Sequence, residues 1–183
     1  MTFQVARPQQ YDQVIALYAA VIEQLACDGI RIWWDLDTYP SRAYFARALE
    51  REQLYVAMDE GNIVGAVVLD QSARPEYAEV VWQCDVPTDE QMIMHVLAVS
   101  PAARGRGVAR FILEQMKQLC RESGRKAIRL DALLCNTPAC ALYRRAGFTP
   151  VARQNIHIPD VGDEAFEMFE YVIAQKEPAT ENG

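Results

Sequence analysis

Hydrophobic and polar positions in the first third of the chain follow a strand-like alternation and then a helical period. Residues Thr2–Ala6 alternate as a short strand. Pro8 suits the first turn of a helix, and the helical pattern that it opens runs to Ala26 and ends before Gly29. A second helix is predicted for Ser41–Arg51, because serine is a favoured N-cap residue. The apolar positions that define the first helix are Val14, Ile15, Leu17, Tyr18, Val21, Ile22 and Leu25.

The middle of the chain predicts a β-hairpin and then a segment with an ambiguous pattern. Leu54–Met58 and Ile63–Leu69 are apolar runs, and the residues between them, 59–62, have turn-forming side chains. Within the following segment, residues 71–91, Glu76–Trp82 fits either an extra strand or an extension of the hairpin. Both interpretations predict extended backbone at this place.

The second half of the chain alternates between strands and helices, which is typical of an α/β domain. The helix predicted over residues 106–123 has one apolar stripe, and a short helix over Pro138–Ala146 ends at Gly147. No repeat or linker divides the chain, so we predict one domain over residues 1–173 and a disordered polar tail over 174–183. The strands predicted in this half are Met92–Val99, Ala127–Leu134, Phe148–Ile156 and Phe166–Ile173.

Composition and charge narrow the class of protein. The 183 residues are 51% hydrophobic and 23% charged, as in a folded globular protein. A net charge of −7 argues against nucleic-acid binding and against an anionic membrane surface. The five cysteines include no C-x-x-C pair, so neither a disulfide framework nor a metal site is expected. Without a signal-peptide pattern or a long apolar run, a cytoplasmic location is expected.

The charge is distributed unevenly along the chain. Residues 104–129 carry 8 basic and 2 acidic side chains, whereas residues 1–103 carry 6 basic and 15 acidic ones. This basic segment is either a solvated helix face or the docking site of an anion.

A glycine-rich turn lies at the start of the basic segment, between a predicted strand and a predicted helix. Gly105 and Gly107 allow the backbone to approach a ligand closely, and the helix that follows directs free N–H groups toward it. Such a turn is an anion-binding site on physical grounds. The dinucleotide fingerprint is excluded because residue 110 is arginine, and the P-loop pattern is absent.

A second motif makes the interpretation of the glycine-rich turn specific. Arg104–Ala109 resembles the pyrophosphate loop of the GNAT superfamily of N-acetyltransferases, and residues 136–148 resemble its N-x-x-A-x-x-L-Y-x-x-x-G-F segment. The resemblance implies an α/β GNAT fold: a mixed, mostly antiparallel sheet of about seven strands with about four helices, splayed at the cofactor site. It implies acetyl-CoA as the cofactor, with the basic side chains of 104–129 facing its phosphates. The implied cofactor-binding residues are Leu97, Ala98, Val99, Arg104, Gly105, Arg106, Gly107, Val108, Ala109, Asn136 and Tyr143.

Transfer of an acetyl group to an amine needs a general base and a general acid. By its place in the motif, Tyr143 is the candidate acid; the alternative is a tyrosine packed on the core. His95 is a candidate base, because strand alternation predicts residues 93, 95, 97 and 99 on one face. Asp131, in a strand of apolar neighbours, is the competing base. A structural hydrogen-bonding role is the alternative for both, and water is the third candidate.

The acceptor side of the site is less defined. Trp33, Trp34 and Tyr39 form an aromatic connector that either lines an amine pocket or attaches the connector to the core. The resemblance implies an enzyme that acetylates a primary amine of a small molecule or peptide. The alternatives are a noncatalytic acyl-CoA-binding or sensor module and a ribosomal-type acetyltransferase of protein N-termini. Because many members of the superfamily pair, the resemblance is also compatible with a homodimer.

Overall fold

A single seven-stranded sheet organises the chain in a computed structural model that describes residues 1–159 and 161–173. The predicted tail over 174–183 lies outside the described residues. The spatial order of the strands is β1-β2-β3-β4-β5-β7-β6. The strands are β1 Thr2–Val5, β2 Leu54–Asp59, β3 Asn62–Asp70, β4 Gln91–Val99, β5 Ala127–Leu133, β6 Thr149–Ile158 and β7 Gly162–Val172. The helices are α1 Tyr11–Cys27, α2 Arg42–Glu50, α3 Val108–Glu122 and α4 Thr137–Arg145.

Every neighbouring pair of strands is antiparallel except β4 and β5, which are parallel. Their pairing covers only three positions, from Gln91 opposite Ala127 to Ile93 opposite Arg129. Both strands continue beyond that point, β4 to Val99 and β5 to Leu133, without pairing with each other. The mixed sheet and its splay are therefore confirmed.

Helices cover both faces of the sheet. Buried side chains of α1 and α2 form one core cluster with β2 and β3, and Ser41 caps α2 by accepting a hydrogen bond from the Tyr44 N–H at 3.1 Å, as its sequence position predicts. Buried side chains of α3 and α4 form a second cluster on the opposite face. Within the described residues, no helix is long and apolar enough to cross a membrane.

Helix α3 lies unusually close to the sheet because Gly65 has no side chain. A Cβ atom at this position would stand 2.7 Å from Ile112 Cδ1, 3.0 Å from the Ala98 carbonyl oxygen and 3.1 Å from Val108 Cγ1. Glycine in the middle of a strand commonly marks such a close approach. Gly65 thereby sets the position of the first turn of α3, which follows the glycine-rich loop.

A β-bulge in β4 overturns the predicted alternation of residues 93, 95, 97 and 99. Val96 has a left-handed φ of +49°, and one extra residue of β4 lies between the pairs Val68–His95 and Ala66–Ala98. Met94 and Leu97 consequently both pack toward α3, three positions apart. The prediction assumed an uninterrupted two-residue period. The freed Val96 carbonyl accepts a hydrogen bond from the buried Tyr18 hydroxyl at 2.6 Å.

The predicted extended backbone over Glu76–Trp82 is wrong. Residues Pro75–Glu79 form a 3₁₀ turn, and Thr88–Glu90 form another just before β4. The segment packs through buried aromatic and apolar side chains, and Tyr77 lies 5.3 Å from Trp82 between ring centroids. Its β-branched and aromatic residues suit a strand, but their side chains pack in the loop instead.

A buried ion pair holds this segment to the sheet. Arg129 Nε lies 2.9 Å from Glu170 Oε1, and these side chains are 7% and 0% exposed. The other Glu170 oxygen accepts the Gln83 N–H at 2.6 Å, while Arg129 also donates to the Cys84 carbonyl at 2.6 Å. Arg129 also stacks over Trp82 at 4.4 Å. In place of water, the two buried charges therefore have protein partners, which come from three parts of the chain.

The expectation that the basic side chains of residues 104–129 all face phosphates is wrong for two of them. Arg129 is committed to Glu170, and Lys117 is 5% exposed with its ammonium 2.8 Å from Glu114 and 2.6 Å from the Ala146 carbonyl. Net charge along a segment does not distinguish a surface charge from one that is buried and paired.

Glu170→Gln should lower the free energy of unfolding by about 3–5 kcal/mol, because it leaves the buried Arg129 guanidinium without its counter-charge. Urea denaturation measures the change. Asp163→Asn is the matched control, since Asp163 pairs with His157 at 2.8 Å but both side chains are more than 70% exposed; it should cost less than about 1 kcal/mol. Equal losses in the two variants would contradict the role of the buried pair.

Candidate active site

A cavity of about 580 Å³ lies where β4 and β5 part. Its walls come from both parted strands, from the start of α4, from the connector between α1 and α2, and from the tip of the β6–β7 hairpin. Sequence-predicted residues of every class meet here, including the candidate acid, both candidate bases and all three aromatic connector residues. They are Trp33, Trp34, Tyr39, His95, Leu97, Asp131, Asn136 and Tyr143.

The glycine-rich turn does not line this cavity but follows directly from β4. Gly105 and Gly107 have φ angles of +77° and +76°, so both occupy the left-handed region that favours glycine. No side chain caps the start of α3 at Gly107, unlike α2 and α4. The first N–H groups of α3 therefore remain available to an anion.

The two arginines of the turn are paired with acidic side chains from other elements. Arg104 Nη1 lies 2.6 Å from Asp28 Oδ2 at the end of α1, and Arg106 pairs with Asp59 at the end of β2. The Arg104 hydrogen bond is the main reason that the pKa of Asp28 lies below its usual range. These are exposed pairs of small net energy, so a multiply charged phosphate ligand can displace the carboxylates.

Three further predicted cofactor contacts lie on β4. Ala98 and Val99 pair with Ala66 and Gly65 of β3, and Leu97 lines the cavity. Among the described strands, none pairs with the other edge of β4 after Ile93. Unpaired strand edges present N–H and C=O groups to a ligand.

Asn136 has a local structural role in addition to lining the cavity. Its side-chain oxygen accepts a hydrogen bond from the Ala139 N–H at 3.3 Å and thereby caps α4. This cap fixes the first turn of the helix that carries Tyr143.

Tyr143 both packs on the core and lines the cavity. The ring is packed on the core, with centroids 5.6 Å from Phe169 and 6.0 Å from Phe148, and the residue is 7% exposed. It also lines the cavity. Burial, with a smaller effect of the Asp131 charge, raises the pKa of Tyr143 above its usual value, so its hydroxyl stays protonated at neutral pH.

His95 is held by a carboxylate that the sequence analysis did not identify. Its Nε2 lies 2.9 Å from Asp70 Oδ1, and the two side chains are 12% and 11% exposed. An ionised carboxylate only accepts hydrogen bonds, so Nε2 carries the hydrogen and Nδ1 is the proton-accepting nitrogen. The bulge at Val96 places the imidazole on the opposite face of β4 from Leu97.

Asp131 has two partners, both from the segment 71–91. The Tyr77 hydroxyl donates to Asp131 Oδ2 at 2.9 Å, and Arg74 Nε lies 4.0 Å from the same oxygen. Burial raises the pKa of Tyr77 well above its usual value, and the Asp131 charge raises it further, so Tyr77 remains a donor. The carboxylate is thus oriented by the loop that Arg129 and Glu170 anchor.

The aromatic connector both lines the cavity and packs on the core. Trp34 belongs to the α1–α2 cluster and lies 5.9 Å from Tyr18 between ring centroids. Trp33 lies 6.2 Å from Phe166, and its indole N–H is buried without a hydrogen-bond partner among the described residues. The connector is therefore attached to the core and also forms part of the cavity wall.

Sequence reasoning missed Asp70, Arg74 and Tyr77. Asp70 ends β3 and reaches His95 only through the register of β3 and β4, in which Asp70 lies opposite Ile93. Arg74 and Tyr77 belong to the segment whose pattern was ambiguous, and neither has a spacing signal. Among the described residues, no group of three or more His, Cys, Asp or Glu side chains is placed to hold a metal ion.

Comparison with known proteins identifies the class of this chain. The model of the acetyltransferase (GNAT) family matches residues 30–148, well over half of the chain, and the chain therefore belongs to this family. The resemblance of the two motifs is confirmed. The matched region includes the glycine-rich turn and 16 of the 21 residues that line the cavity.

Two relatives match in sequence over part of their length. An uncharacterized protein of Mycobacterium leprae is 37% identical over 123 residues, which are 67% of this chain and 32% of that protein. The mycothiol acetyltransferase of Jonesia denitrificans is 33% identical over 87 residues, which are 48% of this chain and 28% of that protein. The chain thus spans about a third or less of the length of these curated relatives.

Solved structures share the fold at low sequence identity. A GNAT-family acetyltransferase from Streptococcus agalactiae has a TM-score of 0.76 and 18% identity, and the match covers 97% of this chain and 96% of that one. An acetyltransferase structure from Salmonella typhimurium, solved with its cofactor acetyl-CoA, has a TM-score of 0.70 and 16% identity over the same shares of the two chains. The predicted GNAT fold is therefore confirmed.

Gly107→Ala should weaken the binding of coenzyme A about tenfold, because a Cβ at this φ strains the turn by about 1–2 kcal/mol and moves the free N–H groups of α3. Titration calorimetry measures the dissociation constant. Gly124→Ala is the matched control: Gly124 has a φ of +72°, also has open space around it, and follows the other end of α3. Equal weakening by both variants would argue against an anion site at the turn.

Proposed function

We propose that this protein is an acetyl-CoA-dependent N-acetyltransferase that acetylates a primary amine of a small molecule or peptide. The observation that carries the proposal is the meeting of three side chains around one cavity: His95 and Asp131, on the strands that part there, and Tyr143, on α4. One of these strands, β4, leads into the glycine-rich turn. Family membership supports acetyl transfer as the reaction class.

The chain's own groups fit acetyl-CoA. The free N–H groups at the start of α3, with Arg104 and Arg106, would hold the pyrophosphate, and the unpaired edge of β4 over residues 97–99 would hold the pantetheine arm. When bound, acetyl-CoA would supply a thioester whose C–S bond breaks as the acceptor nitrogen forms its bond to the acetyl carbon. The nitrogen must lose a proton, and the sulfur must gain one.

Tyr143 is the proposed proton donor to the sulfur. Its raised pKa keeps the hydroxyl protonated, as an acid requires, and its packing on Phe148 and Phe169 restricts the position of the ring. A binding or sensor module has no need of a buried hydroxyl at the cavity wall. The tyrosine therefore favours an enzyme over a module that only binds acyl-CoA.

His95 is the proposed base for the acceptor amine. With Nε2–H donating to Asp70, its Nδ1 can take a proton, and the Asp70 carboxylate then stabilises the imidazolium that forms. Asp131 is the competing candidate; its Oδ2 is already engaged by Tyr77 and faces Arg74. In the proposed arrangement Asp131 orients the amine, and His95 removes its proton.

The size of the cavity supports a small acceptor. A volume of about 580 Å³ is in the range of small-molecule sites, roughly 300–1,000 Å³. The connector of Trp33 and Trp34 closes one side, and Arg74 of the anchored segment covers another. These walls favour a small amine or a peptide terminus over an internal lysine of a folded protein.

Tyr143→Phe should lower kcat about 10²–10³-fold and leave the dissociation constant of acetyl-CoA within about twofold, because it removes only the proton donor. Release of free thiol measures turnover over a broad panel of amines, and calorimetry measures binding. Phe148→Leu, which changes a ring packed on Tyr143, controls for loss of core packing. Loss of affinity with unchanged kcat would contradict the assigned role. Tight binding of acetyl-CoA without turnover of any amine would support the sensor-module alternative.

His95→Ala should remove the acid limb of the pH profile of kcat/KM, because a base must be deprotonated to act and activity then rises with pH. Asp131→Asn should lower kcat/KM but keep that limb. The profiles are measured from about pH 5.5 to 9 with saturating acetyl-CoA. The reverse pattern would assign the base to Asp131, and unchanged limbs in both variants would assign it to water.

A further inference from the structure

The carboxylate that lines the cavity, Asp131, and the one that holds His95, Asp70, both already have donors from the chain. Asp70 accepts from His95 at 2.9 Å, and Asp131 accepts from Tyr77 at 2.9 Å with Arg74 nearby at 4.0 Å. A strong site for a second cation, beyond the acceptor amine itself, is therefore absent from the described cavity wall.

Hydrogen-bond donors, in contrast, are in excess on one side of the cavity. The buried Trp33 Nε1–H has no partner among the described residues, and a buried donor without a partner is costly. The Arg74 guanidinium has five N–H donors. Its one carboxylate contact is the 4.0 Å approach of Nε to Asp131 within the described chain. The Tyr39 hydroxyl is a further partner of the guanidinium, and the donors still outnumber the acceptors found for them among the described residues.

These donors lie around the same aromatic ring. Trp33 lies 6.2 Å from Phe166 between ring centroids, and the Arg74 guanidinium carbon lies 5.8 Å from the same ring. The guanidinium also lies 5.8 Å from the Tyr39 ring, so two aromatic side chains restrict its position. A planar cation held in this way is suited to bidentate binding of a carboxylate.

We infer that the acceptor is an amino carboxylate, whose carboxylate binds to Arg74 and the Trp33 N–H while its amine lies toward Asp131 and His95. The inference rests on the proposed function and names its substrate class. The two charges of a zwitterion are complementary to the Arg74–Asp131 pair. The Asp131 carboxylate attracts the ammonium group and repels the substrate carboxylate, which then lies toward Arg74. The remaining walls are apolar, including Trp34, Met94 and Leu97, and they favour an apolar or aromatic side chain.

The test is titration calorimetry of protein saturated with coenzyme A, which carries no acetyl group and so allows binding without reaction. The probes are L-leucine, L-methionine and L-phenylalanine, each compared with its carboxamide and its decarboxylated amine. We expect each amino acid to bind at least about tenfold more tightly than its two partners, since a charge-assisted bidentate pair is lost in both. Equal or tighter binding of the partners that lack the carboxylate, or no binding of any probe at millimolar concentration, would overturn the inference.

Three variants identify which cavity residues cause the preference for a carboxylate. Arg74→Gln should abolish the preference for the carboxylate and leave the binding of the decarboxylated amine within about twofold. Trp33→Phe keeps the ring but removes the N–H, and it should reduce the preference several-fold. Trp34→Phe is the matched control in the same connector and should preserve it. A thermal melt of each variant establishes that it is folded.

The same experiments separate this inference from the proposed function. If amino acids bind preferentially but no thiol is released with acetyl-CoA, the substrate site stands and the proposed acetyl transfer fails. If thiol is released with amines that lack a carboxylate as fast as with amino acids, acetyl transfer stands and the substrate class is wrong.

Discussion

The two parallel strands at the centre of the sheet stop sharing hydrogen bonds after Ile93 and Arg129, although both continue for several residues. Backbone N–H and C=O groups require partners, and the edges of β4 and β5 beyond this point find none in each other. The sheet nevertheless stays intact, because β4 remains paired with β3 and β5 with β7. The resulting gap is the cavity, which the two parted strands border.

The segment between β3 and β4 contributes to the cavity wall, and electrostatic contacts hold it in place. Arg129 of β5 and Glu170 of β7 have buried side chains. These side chains hold residues 83 and 84 by hydrogen bonds to the backbone. Because the segment is held there, its Arg74 and Tyr77 side chains reach Asp131 of β5. Charges that would be costly in isolation are tolerated because each has several fixed partners. The same contacts give a segment without strands or α-helices a defined position beside the cavity.

Local pattern accounts well for the elements and poorly for the contacts between them. The four helices and the strands flanking the glycine-rich turn were predicted within a few residues, because apolar period and capping residues act over one or two turns. The bulge at Val96 was not, since a single left-handed valine is imposed by pairing with β3 and by the Tyr18 hydroxyl. That one residue puts His95 and Leu97 on opposite faces of the strand. Asp70, Arg74 and Tyr77 escaped notice for the same reason, as each meets its partner only after the chain has folded.

The sequence by itself determined the class of fold, the glycine-rich turn before α3 and the candidate site residues around Tyr143. These features depend on residues close together in the chain, where glycine conformation, helix termini and short motifs act locally. Only the tertiary structure decided which basic residues are buried and paired, which carboxylate holds His95, and which donors of the cavity have no partner. Those properties depend on distances between residues such as Arg129 and Glu170, far apart in sequence, and burial then sets the energy of every charge involved.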